Sequence, residues 1–265
     1  MTTTKAEPTA PAVQYAMASE IGGRTRQEDA ATMRTHRADW GGYVIAAIAD
    51  GVGSVPGTHV IADAAVHAVC ALGEAADYQW DPEQLITLAA GVVPLHARYA
   101  NNRDGRIFDQ FEARAELFDP SPDTTVAVAT IGPDGAISVG WLGDCRVHVR
   151  LVRGDVLALT EDHNMGKFDL PHVLTRSLAH PGDGPQGGSW TPDSNNPGNQ
   201  PVDVVLTTDG VHDVLPHTAI RCALENAPNP QRAAHWMTRW AVRAAGERAD
   251  NATAVVLRVK KPTSR

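Results

Sequence analysis

Five aspartates in this chain share one kind of position, the end of an apolar, strand-like stretch. Asp50 follows residues 43–49, Asp144 follows 136–142 through a glycine, and Asp209 follows 202–208. Asp29 precedes 30–35, and Asp250 precedes 252–259. In an antiparallel sheet, the exits of some strands share an edge with the entries of their neighbours. Acids far apart in sequence can therefore meet at one edge. Gathered carboxylates repel and resist ionising together. A hard divalent cation removes that conflict, and oxygen-only donors select Mg²⁺ or Mn²⁺ over zinc or copper. Two such ions sharing a carboxylate are suited to in-line attack on phosphorus. The plainer reading is a turn, because Asp-Gly is a turn dipeptide and also occurs at Asp104, Asp134 and Asp183. Asp134-Gly135 lies between two alternating stretches and reads as a hairpin. Asp50 and Asp209 differ, since each follows a strongly apolar run, lacks an immediate return strand, and precedes a helix after a short segment.

The elements that would position these acids are mixed. Residues 13–19 and 43–49 read as strands. Residues 58–76 read as a helix, with Ile61, Ala65, Ala68 and Leu72 on its apolar side. Asp81-Pro82 with Gln84 is a helix start. The apolar stripe that follows reads as Leu85, Leu88, Val92, Leu95 and Tyr99, with a kink at Pro94. From Asp123 the period shortens, giving strands at 124–131, 136–142, 146–152 and 155–160. Residues 181–201, rich in Gly, Pro, Asn and Ser, read as a surface loop. A strand at 202–208 and helices at 216–226 and 230–245 follow. On the last helix Ala233, Trp236, Trp240 and Ala244 share a face, and the two tryptophans read as core. A strand at 252–259 closes the chain, with Val255, Leu257 and Val259 on one side. Antiparallel strands between helix pairs favour α+β layers over a doubly wound parallel sheet.

Bulk features narrow the function. With 31 acidic against 23 basic residues the net charge is −8, which argues against a surface built to grip a nucleic-acid backbone. The longest clean apolar run, 44–49, is far short of the roughly 20 residues of a membrane span. Residues 1–11 lack the apolar segment of a secretory signal and read as a mobile tail. Cys70, Cys145 and Cys222 form no CxxC pair, so a reduced, cytoplasmic setting is expected. The histidines lack HxH and HExxH spacing. His59 and His67 read as helix-face residues, His212 and Asp213 as capping residues or, alternatively, as lining for the metal site, and Cys145 as a packed thiol.

Eight short motifs then fall in one order. They are Arg24-x-x-Gln27-Glu28-Asp29, Ala49-Asp50-Gly51-Val52-Gly53, Asp123-Thr124-Thr125, Gly143-Asp144-Cys145-Arg146, Leu159-Thr160-x-Asp162-His163, Leu174-Thr175-Arg176-Ser177-Leu178, Thr208-Asp209-Gly210 and Asp250-Asn251-x-Thr253. This order resembles the metal-dependent type 2C Ser/Thr protein phosphatases, most of all their bacterial branch, over residues 14–259. The resemblance implies a four-layer α-β-β-α sandwich within residues 13–260, flanked by tails at 1–12 and 261–265. It implies two Mn²⁺ or Mg²⁺ ions: Asp50 would bridge them, the Gly51 carbonyl would bind one, and Asp209 and Asp250 would bind the other. Glu28 and Asp29 would act through metal-bound waters, and Asp144 matches the acid for a third, weaker ion. Arg24 matches the phosphate-clamping arginine, whose planar fork Lys cannot imitate.

Some positions depart from the family pattern. Gln27 replaces Asn, Ser54 replaces Gly, and Asp123 replaces the Gly before Thr-Thr. Val52 stands where some members carry a His proposed as general acid. Only residues 164–173 separate the Asp-His and Leu-Thr-Arg motifs, so the flap beside the site is expected to be short.

The expectation is therefore a metal-dependent phosphoprotein phosphatase, monomeric, opposing a Ser/Thr kinase and binding neither nucleic acid nor membrane. The alternatives are a pseudophosphatase scaffold and a two-metal hydrolase of another phosphate ester.

Overall fold

The computed structural model describes residues 13–38, 41–53, 55–75, 80–101, 122–192 and 195–259. The expected terminal tails at 1–12 and 261–265 lie outside these residues.

Strand β3 (Gly41–Ala49) explains the architecture. Its alternate residues enter two different cores: Ile45, Ala47 and Ala49 face helices, while Val44, Ala46 and Ile48 face a second sheet. A strand covered on both sides reads as an unbroken apolar run. β3 lies in a five-stranded sheet with β2 (Ala30–Ala38), β6 (Val126–Ile131), β7 (Ile137–Leu142) and β12 (Gln186–Trp190), in the order β12-β7-β6-β3-β2. The second sheet holds β1 (Val13–Glu20), β8 (Arg146–Leu151), β9 (Val156–Ala158), β13 (Pro201–Thr207) and β14 (Ala252–Val259), in the order β1-β14-β13-β8-β9. All pairings within both sheets are antiparallel.

Helices α1 (Thr58–Ala75) and α2 (Pro82–Asn101) cover the outer face of the first sheet. Short α3 (Asp209–His212), α4 (His217–Asn226) and α5 (Pro230–Ala245) cover the second. This is the expected sandwich of α+β layers. α5 starts cleanly because Asn229 Oδ1 accepts the Arg232 N–H at 2.9 Å and Pro230 fills the first turn.

Four sequence expectations fail in whole or in part. The stretch 181–201 is not all loop, since β12 pairs with β7 from Gln186↔Trp141 to Trp190↔Ile137. Gly187 within β12 serves packing rather than turning. Gly187 and Gly140 face each other across the ladder, and a Cβ on either would meet Glu83 or Pro82 within 2.9 Å. The start of α2 sits on this notch. Consequently α2 buries Leu85, Ile86, Ala89 and Val93, leaving Leu88 and Val92 exposed. Leu95 and Tyr99 fall outside the described side chains, and the helix continues through Pro94. On α5 the buried face is Ala233, Ala234, Met237, Thr238 and Ala241. Trp236 and Trp240 stack on each other, ring centroids 5.6 Å apart, half-buried at its flank, and Ala244 is exposed. Small residues let α5 lie close to β1 and β14, which leaves no room for indoles. On α1, similarly, Val66, Val69 and Cys70 are buried and Ala68 and Leu72 only partly so.

Candidate metal centre

The turn after β1 carries Arg24, Glu28 and Asp29, and it is sewn to the start of β14 by Asn251. Asn251 Nδ2 donates to the carbonyls of Ile21 at 2.9 Å and Arg26 at 3.0 Å, while its Oδ1 accepts the Glu28 N–H at 2.7 Å. Gln27, one methylene longer than the family's Asn, uses the extra reach. Its amide donates to Ser19 Oγ, and its Oε1 accepts the Asp29 N–H at 3.0 Å. Asp29 is buried, and its Oδ2 accepts the Thr208 hydroxyl at 3.0 Å. The turn therefore holds two acids in place through uncharged partners.

Asp50 leaves β3, and β4 (Gly51–Val52) pairs at once with β5 (Asp123–Thr124). The Asp50 carbonyl accepts Thr125 N–H at 2.9 Å and the Thr124 hydroxyl at 2.7 Å. Asp144 sits between β7 and β8. Asp209 opens α3, where a Cβ on the next residue, Gly210, would lie 2.0 Å from the Asn251 carbonyl oxygen. Only glycine lets Asp209 come that near β14. Asp250 is half-buried and accepts Arg24 Nη2.

Glu28, Asp50, Gly51, Asp144, Asp209 and Asp250, with Arg24, line one cavity of about 500 Å³. Asp29 is not among its lining residues and stands behind the wall. The charges are mutually unfavourable. Burial raises the Asp29 carboxyl to about 7, with Asp209 and Asp250 adding to the rise. Burial likewise lifts Asp144 to about 7, helped by Asp209 and Asp162. Asp50 lies well above the usual carboxylate range through burial and the charges of Asp29, Asp209 and Asp144. Asp209 is raised by burial and by Asp250, against a hydrogen bond shared with Asp50.

Glu28 Oε2, Asp29 Oδ1 and Asp209 Oδ1 are buried without hydrogen-bond partners. Orphaned buried acceptors that repel one another, all oxygen, are the donor set a hard divalent cation fits. As the side chains stand, no three of Asp, Glu, His or Cys already surround one point closely enough to hold an ion, among the described residues. The Arg24–Asp250 pair takes up one of the candidates.

Around the cavity lie further residues, several of them within the motifs but given no role in the cation site. Asp123 is a hub: its Oδ1 accepts the N–H groups of Thr124 at 2.7 Å and Ala179 at 2.8 Å, and its Oδ2 accepts the Ser177 hydroxyl. The departure from Gly thus ties residues 177–179 to β5. Arg146 binds Asp162 in fork geometry at 2.8 and 2.6 Å and reaches Asp213 at 3.6 Å. Asp213 is therefore held by an ion pair rather than serving only as a cap. His212 is buried beside Thr207 Oγ1, 2.9 Å away, and burial drives its imidazole well below the usual range. Cys145 is the packed thiol expected, 3.2 Å from Thr125 Oγ1 and pushed up by burial. His59 lies 3.7 Å from Glu28 Oε2, and His67 is exposed. The short flap is a hairpin of β10 (Asn164–Met165) and β11 (Leu170–Leu174), and its His172 and Leu174 line the cavity.

Among known proteins, the family model described as protein phosphatase 2C matches residues 18–257. A search of curated proteins by sequence finds no match. Solved structures show the same fold at low identity. The Ser/Thr phosphatase Stp1 from Staphylococcus aureus aligns with a TM-score of 0.70 and 13% identity, covering 96% of this chain and 97% of the other. The PPM Ser-Thr phosphatase MsPP from Mycobacterium smegmatis, solved with cacodylate, gives 0.65 and 22%, covering 95% and 100%. The catalytic domain of the serine threonine protein phosphatase PstP, in complex with two manganese ions, gives 0.64 and 20%, covering 94% and 99%.

Proposed function

Because the chain belongs to the protein phosphatase 2C family, we propose that it hydrolyses phosphoserine and phosphothreonine in proteins with two Mn²⁺ or Mg²⁺ ions. The observation that carries this reading is the cavity that joins buried, mutually repelling carboxylates to a guanidinium. In it, Asp50, the Gly51 carbonyl, Asp209 and Asp250 would hold the two ions. Glu28 and Asp29 would orient water, and Asp144 would take a third, weaker ion. The PstP catalytic domain, in complex with two manganese ions, shares the fold, which supports the choice of cofactor.

When bound, the cations supply positive charge and a water acidic enough to ionise near neutral pH. The protein's own groups do the rest. Arg24 presents its fork to two phosphate oxygens and sets the phosphorus in line with the attacking water. Asp29, held by Thr208 and Gln27 from behind, fixes the wall against which that water sits. No side chain becomes phosphorylated in this scheme.

A phosphoprotein substrate, an opposing Ser/Thr kinase, a monomeric state and a cytoplasmic setting belong to the same proposal. No helix among the described residues is long and apolar enough to cross a membrane. The test is hydrolysis of a phosphothreonine peptide and an aryl phosphate, with and without Mn²⁺, using Asp209→Asn as control. Mn²⁺-dependent release by the wild type alone is expected. A wild type silent at saturating Mn²⁺ points instead to a phosphoprotein-binding scaffold.

A further inference from the structure

The proposed reaction leaves one atom unprovided for. A seryl or threonyl oxygen leaves phosphorus as an alkoxide unless a proton reaches it, and Val52 stands where a general acid would be sought in the β3–β4 turn. The cavity wall offers few donors. Its carboxylates belong to the cation site, the guanidinium groups of Arg24 and Arg26 do not give up a proton, and the hydroxyls of Thr25 and Thr125 are poor acids. One imidazole remains, that of His172 on β11.

Its placement follows from strand geometry. Side chains two apart on a strand share a face. His172 and Leu174 both line the cavity, while Val173 between them does not. His172 is solvent-accessible and belongs to the β10–β11 flap. His172 and Asp209 line the same cavity. The other imidazoles near this end are elsewhere: His212 is buried beside Thr207, and His59 faces Glu28 outside the cavity lining.

Resting on the phosphatase reading above, we propose that His172 is the proton donor to the leaving alcohol. In the step, the attacking water forms the new P–O bond as the bond to the seryl or threonyl oxygen breaks, its electron pair staying on that oxygen. The protonated His172 ring gives its proton to the same oxygen, releasing the alcohol. The proton lost by the attacking water restores the ring, so the net reaction consumes one water and yields alcohol and hydrogen phosphate.

General acid assistance matters in proportion to how badly the leaving group needs a proton. An alkoxide needs it, whereas p-nitrophenolate does not. The experiment compares wild type and His172→Gln, both loaded with metal, on a phosphothreonine peptide and on p-nitrophenyl phosphate. For the variant, kcat on the peptide is expected to fall by about 100-fold or more while kcat on the aryl ester stays within about 3-fold. KM for the peptide should hold. Imidazole added to His172→Ala should restore part of the peptide rate. Independently of turnover, inorganic phosphate added to the Mg²⁺-loaded wild type should shift the His172 ring resonance and leave that of His67 in place. Equal loss on both substrates, or loss on neither, overturns the assignment while leaving the phosphatase reading intact. An unmoved ring resonance overturns it too. A wild type inactive on both substrates overturns both.

Discussion

Arg24 Nη2 donates to Asp250 Oδ2, so the residue read as the phosphate clamp is paired with one read as a metal ligand. The two join the β1–β2 turn to the start of β14 across 226 positions of sequence. A cation drawing on Asp250 would compete with the guanidinium and set Arg24 free to face a phosphate. Loading and substrate binding are thereby coupled through one ion pair.

Replacing Arg24 by Ala therefore has two expected effects of opposite sense. KM for phosphate esters rises about 10-fold or more, because a two-point phosphate contact is lost. The Mn²⁺ concentration for half-maximal activity falls, because Asp250 loses its competitor. Arg24→Lys should not restore KM, since a point charge cannot form the fork. Initial-rate kinetics over a Mn²⁺ series measure both effects, and a rise in the Mn²⁺ requirement would contradict the coupling.

The buried acids trade stability for function. Asp50 and Asp209 each bear the cost of burial and of neighbouring carboxylates. Asp50→Asn removes one charge from that group, so the metal-free protein should melt higher, by roughly 2–4 °C for each kcal/mol relieved. Mn²⁺ at 100 times its Kd should raise the wild-type stability by about 2.7 kcal/mol and leave the variant unmoved. Calorimetric melts with and without Mn²⁺ decide the matter. A variant that melts lower without metal would show the carboxylates are not in conflict.

Acid sensitivity has a different source. His148 on β8 is fully buried among His212, His217 and Thr207, and burial brings its imidazole down to about 3. The folded-state value lies below the unfolded one of about 6.5. The unfolded chain therefore binds the extra proton, and stability present above pH 6.5 is lost as pH falls toward 3. At pH 5 this one group should cost about 2 kcal/mol relative to pH 7. The raised carboxyls of Asp29 and Asp144 act in the opposite sense and cancel when wild type is compared with His148→Asn. Urea unfolding at both pH values should show the variant losing about 2 kcal/mol less than wild type. Equal losses would mean His148 is charged in the fold.

Asp203 on β13 tests the scaffold apart from the site. Fully buried, it accepts Arg150 Nε at 2.7 Å and Arg258 Nε at 2.8 Å, and Arg258 goes on to the carbonyls of Leu224 and Ala227 at the end of α4. Removing the shared acid leaves two guanidinium groups facing each other across β13. Asp203→Ala should cost about 3–5 kcal/mol in chemical denaturation. The kcat of the fraction that remains folded should be unchanged, because Asp203 and Asp209 lie at opposite ends of the strand.

How much of this was legible in the sequence depends on what each residue contacts. β3 and β13 were plain because both faces of each are covered, which makes the apolar run continuous. The acids at strand ends were readable for the same reason, and all but Asp29 line a single cavity. Asp29 differs because Gln27 and Thr208 draw it behind the wall, a detail of side-chain reach. β12 was hidden because Gly187 is there to admit α2, and glycine otherwise signals a turn. The buried face of α5 was missed because alanines, weak in any apolar pattern, set the closest approach, and that of α2 because Leu88 and Val92 offer a competing apolar stripe on the exposed side. Asn251 and Asp123 carry no apolar signal, and their roles as staples emerge only when distant segments meet. His172 was invisible for the same reason, since only the β10–β11 hairpin brings it to the cavity.

The central claim is that Asp50, Asp209 and Asp250 gather the cations on which phosphate hydrolysis depends. The most direct test strips the protein with chelator, restores Mn²⁺ stepwise, and follows phosphate release from a phosphothreonine peptide by wild type and Asp50→Asn. Release that is absent without metal, saturates with Mn²⁺ in the wild type and falls at least about 1,000-fold in the variant is the expected result. Release by the stripped protein, or undiminished release by Asp50→Asn, would contradict it.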